Sequence, residues 1–173
     1  MTRPAVLPVL PDVVARNLRV LFCGMAAGTR SAAVGAYYAG PGNKFWPILH
    51  KAGLTDTLLR PQQFRAVLRY RIGLTDLVKT RSGSDRAIRV EEEDRARLTA
   101  LVGAYAPRVL AFVGKNAARS YLGGVAVGYG LQTWHPDGSD GAVFVLPSTS
   151  GAANGFWDEG PWFDLAAYLR DGR

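Results

Sequence analysis

The 173-residue sequence holds one cysteine, two histidines and two methionines, and each shortage removes a class of chemistry. A lone thiol excludes an internal disulfide. Cys23 also ends an apolar run from Leu18, where a small buried hydrophobe is a simpler reading than a nucleophile. His50 and His135 have no partner at ligand spacing, so neither a metal site nor a metal cofactor is expected. His135 precedes Pro136, which suits a surface turn. No stretch approaches the roughly 20 consecutive apolar residues of a membrane span. Pro4, Pro8 and Pro11 interrupt the first apolar residues, so a signal peptide is not legible and a cytoplasmic protein without a membrane partner is expected.

With 48% hydrophobic and 20% charged residues, the chain has the composition of one globular domain with a substantial core. Residues 1–17 read as a Pro-rich arm and residues 18–173 as the domain. The 21 Lys and Arg outnumber 14 Asp and Glu, leaving a net charge of +7. That excess favours a polyanionic partner, of which nucleic acid is the commonest, because phosphate releases counterions on binding a basic surface.

The informative stretch is Leu18 to Trp46. Leu18–Cys23 reads as a buried strand, with Gly24 and Gly28 turning the chain sharply off its end. In an open α/β sheet ligands bind outside the carboxyl ends of the strands, so Gly24–Gly28 is a candidate ligand loop. Tyr37, Tyr38, Gly40-Pro-Gly42 and Asn43 follow, too aromatic and rigid for a plain linker. They read as a pocket wall, with Asn43 also placed to cap a helix through Phe45, Trp46, Ile48 and Leu49 that ends at Gly53.

Pro11–Arg16 suits one helical turn, and Pro61 the first position of a helix over Gln62–Tyr70. Ile72–Val78 reads as a strand with Asp76 at or near its end. A carboxylate there needs a partner or a raised pKa, so Asp76 either caps a turn or does chemistry. Lys79–Arg89 reads as a mobile basic loop, available to phosphate or simply solvated. Glu91–Tyr105 is an amphipathic helix with acids in its first turn. Arg108–Val113 is a strand leading into a helix over Gly114–Tyr121, and Gly123–Gly141 is turn-rich. Ala142–Leu146 is a fourth strand, running into the small-residue loop Pro147–Gly155. Pro161 opens a last helix to about Arg170. Alternating strands and helices predict a three-layer α/β fold, a mostly parallel four-stranded sheet with helices on both faces.

Five segments in this order carry a family resemblance: Val20–Gly28, Tyr38–Trp46, Gly73–Val78, Tyr105–Lys115 and Leu146–Gly151. The chain resembles the uracil-DNA glycosylase superfamily from about Leu18 to Leu169, nearest to the mismatch-specific uracil and thymine-DNA glycosylase branch. The resemblance implies a cofactor-free and metal-free monomer that flips a nucleotide out of DNA and hydrolyses the bond between base and deoxyribose. By the same resemblance, Tyr38 stacks on the flipped base, and Gly24, Met25 and Ala26 face the base edge. Ser148, Ser150 and Gly151 grip the DNA backbone. Ala152, Ala153 and Asn154 are small for an intercalating wedge, and Phe156 or a nearby basic side chain is the substitute.

One motif departs from the branch. Its first loop carries an Asn-Pro pair whose Asn positions the attacking water, and here Ala26 and Ala27 stand there. Asp76, where relatives carry Asn or Lys, is then the first candidate for the catalytic group, with Asn43 the second. The expectation is a repair glycosylase acting on uracil or another deaminated base, hypoxanthine or xanthine included, in duplex or single-stranded DNA. A lesion- or abasic-site-binding protein without catalysis is the alternative. A nucleotide-phosphate loop at Gly24–Gly28 is disfavoured, because neither a Gly-Lys-Ser/Thr ending nor a Gly-x-Gly-x-x-Gly spacing is present.

Overall fold

The computed structural model describes residues 4–172, so the first three residues of the arm lie outside the described region. Four strands run parallel: β1 Val20–Ala27, β2 Ile72–Ser82, β3 Val109–Val113 and β5 Ala142–Leu146. A fifth, β4 Gly130–Leu131, pairs antiparallel with β5, so the sheet order is β2-β1-β3-β5-β4. The sequence reading missed this edge strand, because two residues, one of them Gly130, carry no alternation to detect.

The central strands are near-continuous apolar runs because both sheet faces are covered. Successive side chains point to opposite faces, so Val20 and Phe22 of β1 join one core while Leu21 and Cys23 join the other. The first core packs under α2 (Phe45–Lys51) and α5 (Gly160–Arg170), where Phe45, Trp46 and Trp162 are buried. The second packs under α3 (Glu92–Tyr105) and α4 (Lys115–Tyr121), where Leu98, Val102, Ala117 and Ala118 are buried. The three-layer architecture is as expected.

Several boundaries differ from the sequence reading. β1 continues to Ala27 and α1 (Thr29–Val34) starts after Gly28, so Gly24 lies within a strand and not in a turn. β2 continues to Ser82, which places Asp76 mid-strand opposite Gly24 and turns Lys79–Arg81 from loop into strand. Pro61–Tyr70 is a 3-10 segment kinked at Gln63.

The segment before β1 forms no helical turn. Val13 instead bridges Leu74 of β2 antiparallel, and Leu10 and Val13 are buried in the first core. This approach needs Gly73, since a Cβ there would meet the Val13 carbonyl at 2.8 Å and Leu18 Cδ1 at 2.7 Å. The residues around Asp12 are thereby pressed against β2 close to Asp76.

Candidate functional site

A cleft of roughly 860 Å³ opens along the carboxyl edge of the sheet. β1 contributes Gly24, Met25 and Ala26, and β2 contributes Asp76. Tyr38 and Asn43 come from the segment between α1 and α2, and Ser148 and Ser150 from the loop after β5. Of the residues expected to catalyse or to contact the base or DNA backbone, Gly151 alone does not line the cleft; among the small residues weighed as a wedge, Asn154 does not either. Gly151 lies against the Pro41 carbonyl instead and holds the loop to the pocket wall, which Lys44 N–H reinforces by donating to Thr149 O at 2.9 Å.

Asp76 is 4% exposed, and among the described residues its only ion-pair partner is Lys79, with Nζ 3.9 Å from Oδ2. Burial raises its pKa to about 6, Lys79 and Arg97 oppose the rise, and the Asp12 charge adds to it. A carboxyl group with that affinity ionises near neutrality and is still basic enough to accept a proton. Its neighbour in register, Gly24, has no side chain to cover it.

Tyr38 adopts a left-handed backbone, φ 53°, unusual for a residue with a side chain. Its ring stacks on Phe45 with centroids 3.8 Å apart and planes at 19°, so one face is backed and only the other can meet a planar ligand. Tyr38 Oη is buried without a hydrogen-bond partner among the described residues. Burial first and the Asp76 charge second hold this phenol neutral, its pKa well above the usual tyrosine value.

Asn43 Oδ1 accepts from Phe45 N–H at 3.0 Å, at the start of α2. The carbonyl end is therefore committed to the backbone, and the amide NH₂ is the end left for a ligand or water. Ala26 and Ala27 are lining residues whose side chains carry no polar atom, so only their backbone offers any. Ser148 Oγ accepts from Ser150 N–H, and Ser150 Oγ from Ala152 N–H, both at 3.3 Å, which orders the loop into the 3-10 segment Gly151–Phe156. Phe156 lines the cleft and is 76% exposed. Cys23 is fully buried and burial pushes its thiol up, which leaves it inert at neutral pH.

The basic residues sort into two groups. Lys79, expected in a mobile loop, is buried, with Nζ 3.1 Å from Asp12 Oδ1 and donating to Tyr37 Oη at 2.9 Å. Arg81 pairs with Asp94 and Arg89 with Glu91. By contrast Arg30, Arg86, Lys115 and Arg119 line the cleft and form no ion pair among the described residues. A second depression of roughly 480 Å³ adjoins it, sharing Met25, Asp85, Arg86, Asn116 and Arg119 and lined further by Ile88 and Val90.

Sequence reasoning missed Asp12, Tyr37, Lys79 and Arg97 as neighbours of Asp76. The one local signal was Lys79 three residues after Asp76 in an apolar run; Asp12 and Arg97 had none. Among the described residues no three His, Cys, Asp or Glu side chains cluster as metal ligands would.

A sequence profile of the Uracil DNA glycosylase superfamily matches residues 11–169. The fold is similar to the solution NMR structure of a Methanosarcina acetivorans protein described provisionally as a uracil DNA glycosylase. The two are 25% identical over 93% of this chain and 96% of that one, with a TM-score of 0.62.

Proposed function

The chain belongs to the uracil DNA glycosylase superfamily, and from that premise we propose that it hydrolyses the N-glycosidic bond of uracil or another deaminated base in DNA. The observation that carries this reading is Asp76: a buried carboxylate with a pKa of about 6, lining a cleft that also holds cations with no ion pair among the described residues.

A flipped nucleotide enters with its base against the free face of Tyr38 and its phosphates toward Arg30, Lys115 and Arg119. Cleavage sends the C1′–N electron pair onto the base and leaves positive charge on the sugar. The Asp76 carboxylate stabilises that charge, and water bonding to C1′ passes a proton to it. The Asn43 amide donates toward the water or the base. Phe156 stands where an aromatic ring can fill the vacated stack.

A second reading rests on Ala26 and Ala27, which supply no polar side chain at the end of β1: a protein that binds lesions or abasic sites without cleaving. Base release decides between the two. Oligonucleotides carrying uracil, hypoxanthine, xanthine or thymine opposite guanine are offered to wild type and Asp76→Asn under single-turnover conditions. Release by wild type and not by the variant supports the hydrolase and identifies its base. Binding with no release from any substrate selects the second reading.

A further inference from the structure

Asp12, in the segment before β1, lies behind the cleft lining against Thr75 and Lys79 of β2, held there by the buried Leu10 and Val13 on either side. Both of its oxygens are occupied. Oδ1 lies 3.1 Å from Lys79 Nζ and accepts from Thr75 Oγ1 at 2.6 Å, while Oδ2 accepts from Arg97 Nη1 at 3.1 Å. These two cations are also the ones beside Asp76. Lys79 Nζ stands 3.9 Å from Asp76 Oδ2, and Arg97 Nη2 donates to the Asp76 backbone carbonyl. Lys79 is thus closer to Asp12 and Tyr37 than to the Asp76 carboxylate.

We propose that Asp12 is a positioning residue that holds Lys79 and Arg97 off the Asp76 carboxylate, leaving Asp76 beside positive charge yet free to meet water; this rests on the reading of Asp76 above. A hydrogen-bonded Asp76–Lys79 contact in place of the 3.9 Å pair would occupy the carboxylate and hold it ionised to lower pH, whereas a buried carboxylate with no cation would stay protonated well above neutrality. One ammonium divided between two carboxylates gives the intermediate case.

The titratable groups around Asp76 whose charge would reach it are Lys79 on its own strand, Asp12, Arg97 from α3, Tyr37 and Tyr38 from the segment after α1, and Cys23 of β1, which points to the other sheet face; Asp85 lines the same cleft. Burial keeps Cys23, Tyr37 and Tyr38 neutral, so Asp12, Lys79 and Arg97 decide the balance.

The test follows the Asp76 side-chain carboxyl carbon by NMR from about pH 4 to about pH 8 in wild type, Asp12→Asn, Asp12→Glu and Lys79→Gln, with base release measured across the same range. Asp12→Asn frees Lys79 to close on Asp76 and moves the titration midpoint down by about one pH unit. Lys79→Gln moves it up, and Asp12→Glu, which keeps the charge, restores the wild-type midpoint. A purely structural contact would not move the two midpoints in opposite directions. Where base is released, its acid limb follows the midpoint. Midpoints that stay put, or that move together, overturn the proposal. Opposed midpoints in a protein that releases no base overturn the catalytic reading of Asp76 and leave the charge division standing.

Discussion

Gly24 and Asp76 are register partners on adjacent parallel strands, and a Cβ on Gly24 would stand 2.9 Å from Asp76 Oδ1 and 3.2 Å from Tyr38 Oη. The hydrogen at that position is what lets a carboxylate and a phenol both face the cleft. The atoms a methyl group would meet are side-chain ends, which can shift, so the fold should survive the change while the site does not. Gly24→Ala is expected to lower Tm by roughly 2–8 °C, as modest overpacking does. Single-turnover base release should fall by at least ~100-fold through misplacement. Thermal unfolding and release measured together check this, and an unaltered rate would remove Gly24 from the site.

Asp76→Asn keeps the shape of the side chain and removes its basicity. Base release should drop by about 10²–10⁴-fold with DNA affinity nearly unchanged. In wild type the rate should climb with pH through about 6, as the carboxylate ionises. A rate independent of pH across that range, or equal rates in the two proteins, assigns proton acceptance to another group.

The same carboxylate makes stability depend on pH. Its folded pKa, about 6, lies above the ordinary 3.8, so the folded state holds this proton more tightly than the unfolded state. The resulting contribution is complete below the unfolded value and is lost as pH rises through about 6. Asp76→Asn should therefore stabilise the protein by roughly 1–3 kcal/mol at pH above about 7 and by nearly nothing near pH 4. Denaturant unfolding at the two pH values measures it; a stability difference independent of pH would contradict the raised affinity.

Arg119 lines both depressions and has no acidic partner among the described residues. Arg119→Ala should weaken binding to lesion-bearing and undamaged oligonucleotides alike and make the slope of log K against log salt shallower by about one. Titration at several salt concentrations reads this directly. An unchanged slope would place the DNA backbone elsewhere on the surface.

Phe156, 76% exposed at the cleft rim, is the large apolar side chain that the 3-10 segment presents. Phe156→Ala should slow release from duplex substrate by about 10-fold and from single-stranded substrate much less, since only the duplex has a vacated stack to fill. Equal effects on the two would make Phe156 a general contact and not a wedge.

The layered α/β fold and the glycine, tyrosine and serine residues of the cleft lining are legible in local sequence. Apolar runs such as Leu18–Cys23 and Ala142–Leu146 announce strands buried on both faces, and Gly, Tyr and Ser clusters follow them at the edge where ligands bind. These are local patterns, set by side-chain periodicity and turn chemistry within a few residues, so they can be read without the fold. The surroundings of Asp76, by contrast, follow from packing. Lys79 looked like the start of a solvated basic loop, yet β2 continues past it and buries its ammonium between Asp12 and Tyr37. Asp12 looked like part of a Pro-rich arm, yet Val13 bridges β2 across Gly73 and presses the carboxylate against the site. The affinity of Asp76 for its proton comes from burial and from charges contributed by the segment before β1, by β2 and by α3. Coulomb interactions and desolvation depend on distance in space, which packing sets, and sequence separation carries no record of it.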